Sequence, residues 1–139
     1  MGNVPLMGAD GLWATTFSEA AGNAAVGVYV SGGGAAGPEY DAFVAKYEEK
    51  YGEVPPAPFH AHAYDAMNII LRAIENVAVK SGGRLLIGRK ALSDAIYATS
   101  NYTGLTGPIS CEPTGDCGID NVVVAQFKGG VLPEIVWSP

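Results

Sequence analysis

Basic side chains are scarce in this sequence. Eight Lys and Arg stand against 14 Asp and Glu, for a formal charge of −6. Nucleic acids and anionic membrane surfaces both require clustered cations, so this balance argues against either partner. Charged residues make up only 16% of the chain and hydrophobic ones 48%, too apolar a balance for disorder. No run of about 18 apolar residues occurs, so no membrane-spanning helix is expected. A basic and then apolar leader is also missing, since Met1 runs straight into Gly-Asn-Val-Pro. That start fits a cytoplasmic chain, unless the sequence is a piece of a longer one. The apolar stretch Val4 to Met7, so close to Met1, suggests such a piece.

Motifs of catalysis are missing too. There is no G-x-S-x-G, no H-E-x-x-H and no Walker loop, and no catalytic residue or cofactor is expected. Glycine is abundant, 19 of 139 residues, about twice its usual share of roughly 7%. Turns are therefore many.

Between the turns the pattern is mixed. Val4 to Met7 reads as a strand end that opens into Gly8-Ala9-Asp10-Gly11. Phe17 to Ala25 suits one or two helical turns, Val26 to Val30 a strand buried on both faces, and Ser31 to Gly37 a flexible loop. Pro38 to Tyr51 is the clearest helix: Tyr40, Phe43, Val44, Tyr47 and Tyr51 form one apolar stripe, Pro38 suits the first turn, and Gly52 is placed to end it. A stiff Pro-rich connector follows at 53–58. His62 to Lys80 predicts a second, more buried helix, with Met67, Ile70, Leu71 and Ile74 on its apolar face. Gly88 to Ser100 predicts a third. Thr103 to Gly118 is loop-rich, with a short strand at 107–110. Asn121 to Phe127 and Val131 to Trp137 read as a hairpin joined by Lys128-Gly129-Gly130, its second strand held to an edge by Pro133. The fold class is α/β: strands, three helices, then strands.

Four groups of residues invite a chemical reading. Gly32, Gly34 and Gly37 match the G-x-G-x-x-G of dinucleotide sites. No apolar strand ending in an acid follows them, so a plain loop is the expected state. His60 and His62, with Asp65, have the spacing of a partial metal site. No other histidine exists to complete it, and no metal is expected. Cys111 and Cys117 bracket Glu-Pro-Thr-Gly-Asp, wider than a zinc knuckle. A small disulfide loop is expected, implying an oxidising compartment; two free thiols are the alternative. Asp10 lies just past a strand end, where α/β sheets place ligand groups and where a carboxylate can pair with an ammonium. A solvated turn is its other reading.

A longer series of residues carries a resemblance. Gly8-Ala9-Asp10-Gly11-Leu12 is followed by Ala21-Gly22, Gly27-Val28-Tyr29 and Phe43-Val44-Ala45-Lys46-Tyr47. Tyr51-Gly52-Glu53-Val54-Pro55 comes next, then Ala63-Tyr64-Asp65-Ala66. Tyr102-Thr103-Gly104-Leu105-Thr106-Gly107-Pro108-Ile109 precedes Gly115-Asp116 and the closing Val122 to Gly130. In order and spacing this resembles the C-terminal part of the branched-chain amino-acid (leucine/isoleucine/valine) binding proteins of bacterial ABC transporters.

That resemblance implies a type I periplasmic binding fold of α/β/α lobes that close on a ligand by hinge motion. It implies that residues 1–139 are a C-terminal piece of a two-lobe receptor, lacking the groups that hold the ligand carboxylate. The ligand would be an amino acid, branched-chain or otherwise aliphatic; Asp10 would bind its α-ammonium, and Phe59, five residues before Tyr64, would line its side-chain pocket. The parent would carry a signal peptide, work in the periplasm and serve a membrane permease. A small-molecule sensor of the same fold, an enzyme with a metal at His60 and His62, and a folded piece without activity are the other readings. The isolated chain is expected to bind ligand weakly and to associate with itself.

Overall fold

In the computed structural model, residues 4–118 and 121–139 are described. They divide into two compact units. One holds the residues through His60 and those from Asn121 onward; the other runs from Ala61 to Gly118. Among the described residues, no helix is long and apolar enough to cross a membrane.

The first unit is built on a four-stranded sheet. Strand β1 (Met7–Gly8) leads through a 3₁₀ turn, Asp10–Leu12, into helix α1 (Thr15–Ala21) and a second 3₁₀ turn, Gly22–Ala25. Strand β2 (Tyr29–Gly33) then returns parallel to β1, and helix α2 (Pro38–Tyr51) follows. The chain re-enters this unit with β8 (Val122–Gln126) and β9 (Glu134–Trp137), and the spatial order is β1-β2-β8-β9. Apolar side chains of the central strands and their flanks meet in one core: Ala25, Val28, Val30, Ala125 and Phe127. Phe17 of α1 lays its ring 5.2 Å from that of Phe127.

Helix α2 follows its sequence signals. Pro38 occupies its first turn and Glu39 and Asp41 favour the positive end of the helix dipole. Gly52 ends it in the left-handed conformation at φ 77°, its N–H donating to the Glu48 carbonyl at 2.8 Å. Strand β2 departs from expectation: it spans 29–33, not 26–30, and takes in two glycines that read as flexible loop. The 3₁₀ turn and Gly27, at φ 91°, delay its start. Pairing with β8, Gly32 opposite Val123 and Gly33 opposite Val122, carries it onward. The connection from β8 to β9 is likewise longer than three residues. Ser18 of α1 anchors it by donating to the Val131 carbonyl at 2.6 Å.

The second unit holds the rest of helix α3 (His60–Val77), the hairpin β3 (Val79–Ser81) and β4 (Arg84–Leu86), and helix α4 (Arg89–Tyr97). It also holds the three-stranded sheet β5 (Tyr102–Gly104), β6 (Gly107–Cys111) and β7 (Cys117–Gly118). Helix α3 stops three residues short of Lys80, because Val79 to Ser81 pair with Arg84 to Leu86 around Gly82 and Gly83, both at positive φ. Its buried stripe also differs from the expected one. Ala61, Asp65, Ile69 and Ala73 are buried at four-residue intervals, while Met67, Ile70 and Leu71 are exposed. Helix α4 is shorter than expected at both ends, and the loop-rich stretch 103–118 is largely sheet.

Candidate functional site

Where β1 ends, the backbone folds tightly: the Leu12 N–H donates to the Ala9 carbonyl at 3.0 Å and the Trp13 N–H to the Asp10 carbonyl at 2.9 Å. Asp10 therefore sits just beyond the carboxyl end of a parallel strand pair, the usual ligand position in such sheets. Its side chain is exposed. Among the described residues the ion pairs are Lys90–Asp94 and Lys128–Glu134, so the Asp10 carboxylate is unpaired. Phe59, immediately before α3, is 49% exposed. Both residues belong to the first unit.

Close to them lies a groove of about 360 Å³. Neither Asp10 nor Phe59 lines it, but their neighbours do: Trp13 on one side, Pro58 and His60 on the other. Of its aromatic lining residues, Trp13 and Tyr40 were not singled out as site candidates by the sequence, and His60 was read only as part of a partial metal site. Trp13 offered one signal, a large aromatic three residues after the candidate carboxylate.

The wall made by Tyr40 and His60 is fixed by hydrogen bonds. His60 Nδ1 lies 2.6 Å from the Ala57 carbonyl, which only accepts, so Nδ1 carries the proton. Nε2 lies 2.9 Å from the Tyr40 hydroxyl, its hydrogen-bond partner. Burial, and then the negative Asp41, push the Tyr40 phenol up from its ordinary value, which keeps the hydroxyl proton in place. The Phe43 ring stacks on His60 at 5.9 Å with 2° between planes. Both His60 nitrogens are thus engaged.

The other sequence candidates take structural roles. Gly32 faces Trp13 and Asp10, and a methyl group there would stand 3.2 Å from the indole. At Gly34 a methyl would press on Val123 at 2.8 Å, and its carbonyl accepts from the Asn121 side chain at 3.0 Å. Gly37, at φ 111°, starts α2. Close packing and a turn therefore account for the glycine triplet. In the second unit Asp65 is 1% exposed and accepts three hydrogen bonds, from Leu105 N–H at 2.9 Å, Thr106 N–H at 2.9 Å and Thr106 Oγ1 at 2.8 Å. It is a loop anchor. Among the described residues no three His, Cys, Asp or Glu side chains gather as a metal site needs. Cys111 and Cys117 are joined as a disulfide, directly opposite one another across β6 and β7.

Solved structures give this arrangement a context. A leucine-binding protein from Thermotoga maritima matches with a TM-score of 0.79 and 29% identity, over 98% of this chain and 37% of that one. An R. palustris ABC-transporter solute-binding protein in complex with benzoate matches with a TM-score of 0.73 and 26% identity, over 97% and 36%. A branched-chain amino acid substrate-binding protein from Streptococcus pneumoniae, in complex with isoleucine, shares the fold at a TM-score of 0.77 and 24% identity, over 99% and 38%. The chain thus spans about 37% of the length of the first of these relatives and corresponds to part of their fold. No curated protein sequence matches it. The sequence profile of the periplasmic binding proteins matches residues 1–131, nearly the whole chain, and on that match the chain belongs to the periplasmic binding protein family.

Proposed function

We propose that this chain is part of the solute-binding component of an ABC importer for amino acids, acting outside the cytoplasmic membrane and delivering its ligand to a membrane permease. Residues 1–139 supply the closing part of a two-lobe receptor. Asp10 accepts the ligand's α-ammonium and Phe59 lines the pocket for an apolar side chain. The observation that carries this reading is Asp10: an exposed, unpaired carboxylate just past the end of β1, in a chain of this family. A carboxylate there makes a charge-assisted hydrogen bond with an ammonium. It repels a ligand whose only charge is a carboxylate, so an amino acid suits this chain better than the benzoate held by the R. palustris neighbour.

The test belongs in the full-length protein that carries this sequence, because these residues span only about 37% of a relative's length. Losing one partner of a buried charged pair costs about 2–5 kcal/mol. Asp10→Ala should therefore weaken amino-acid binding at least tenfold by calorimetry, with Asp10→Asn in between. Unchanged affinity in Asp10→Ala would remove Asp10 from the site.

A further inference from the structure

The groove beside Trp13 has no part in the role assigned to Asp10. Its volume, about 360 Å³, falls within the roughly 300–1,000 Å³ of small-molecule sites. Among the described residues it is lined by no Asp, Glu, Lys or Arg. Tyr40 and His60 commit their polar atoms to each other and to the Ala57 carbonyl, so they line the space without offering it a charge. Together with Trp13 they give it three aromatic walls, and Val54, Leu132 and Ile135 add aliphatic ones. The indole is not loose, because it also packs against the core of the first unit.

The groove and the carboxylate are neighbours. Trp13 Cε3 and Asp10 Cβ lie 3.2 and 3.5 Å from one point, the place a methyl group on Gly32 would occupy. The absence of that methyl lets both side chains stand over the same strand end. One small molecule can therefore set an ammonium on Asp10 and lay an apolar group along the indole.

We infer that this groove continues the side-chain pocket proposed at Phe59, whose neighbours Pro58 and His60 line it, that it receives the ring of an aromatic amino acid, and that Trp13 is the residue selecting it. The inference rests on Asp10 as the ammonium acceptor and goes beyond that reading by naming the side-chain class. A flat ring against an indole gains over its buried area alone, which a branched aliphatic side chain does not. An aromatic acid without an ammonium meets only the repulsion of Asp10.

Calorimetry of the full-length protein with L-phenylalanine, L-leucine and L-alanine tests it. The wild-type protein should bind phenylalanine at least threefold more tightly than leucine, a ranking that needs no variant. Trp13→Leu keeps apolar bulk against the core and removes the flat ring. It should weaken phenylalanine binding tenfold or more and leave leucine within threefold. Leucine bound as tightly as phenylalanine by the wild type, or an equal loss for all three ligands in Trp13→Leu, overturns the inference. If Asp10→Ala abolishes binding of every amino acid while Trp13→Leu leaves their ranking unchanged, the groove assignment falls and Asp10 stands. If the wild type binds none of the three, both fall.

Discussion

Asp65 illustrates what a single position can hide. By spacing it belongs with His60 and His62, and a metal is the chemistry such a trio evokes. In the fold its carboxylate reaches the turn between β5 and β6, some 40 residues away in sequence, and satisfies two backbone N–H groups and one hydroxyl. Nothing local in the sequence marks which loop a helical Asp will anchor, so that contact was not legible. Gly104 is its complement: a methyl there would stand 2.5 Å from Asp65 Oδ2. Leaving a buried donor unsatisfied costs about 1–3 kcal/mol. Asp65→Ala, which strands two backbone donors, should therefore lower unfolding stability by about 3 kcal/mol or more in urea titrations, and Asp65→Asn by less. A loss below about 1 kcal/mol for Asp65→Ala would mean that water replaces the carboxylate at no real cost. Asp10 and Phe59, by contrast, were singled out by the order of the motifs around them, and Trp13 was not. The place of its indole beside Gly32 depends on the strand running on through that residue, which local sequence does not signal.

Elements read from local signals held best. Helix α2 has a proline at its start and a left-handed glycine at its end, both as the sequence implies, while of its apolar stripe Tyr40, Phe43, Val44 and Tyr47 are half-buried and Tyr51 is exposed. Elements that depend on a distant partner shifted. The reach of β2 into Gly32 and Gly33 is set by β8, some 90 residues on, whose Val122 and Val123 pair with them. Short strands around 102–118 form for the same reason, each weak alone and held by its neighbour. The disulfide belongs to this scale, because it pins β7 to β6. Between the cysteines, the Glu112 N–H donates to the Asp116 carbonyl at 2.7 Å and Gly115 turns at φ 93°. Closing so short a loop restricts the unfolded chain by about 2–3 kcal/mol in the chain-entropy model. Thiol titration of the denatured, unreduced protein should find no free cysteine. The Cys111→Ser, Cys117→Ser double variant should unfold at correspondingly lower denaturant. Two titratable thiols after oxidation would reject the pairing as a solution property.

For the chain as a whole, the exposed apolar surface sets the expectation. Met67 and Leu71 of α3 are 56% and 49% exposed. On β9, which is an edge strand of its sheet, Ile135, Val136 and Trp137 are all open to solvent. An apolar helix face of this kind tends to find a partner, and an unprotected edge strand offers N–H and C=O groups to another chain. The matched leucine-binding protein is nearly three times as long by the share covered, and the proposed function makes this chain one part of a two-lobe receptor. A polypeptide of these 139 residues alone has bare apolar surface and, on the proposed function, only part of a ligand cleft. It should form dimers or larger species at micromolar concentration and bind amino acids far more weakly than the full-length protein. Sedimentation velocity measures the first and calorimetry the second. Replacing Met67 and Leu71 together with Lys should shift the distribution toward monomer, because two charges on the exposed face oppose its burial. Persistence of the dimer in that variant would move the contact to the β9 edge, where Ile135→Lys is the corresponding substitution. A wild-type chain that sediments strictly as a monomer, and binds an amino acid as tightly as the full-length protein, would show that this part of the fold is self-sufficient.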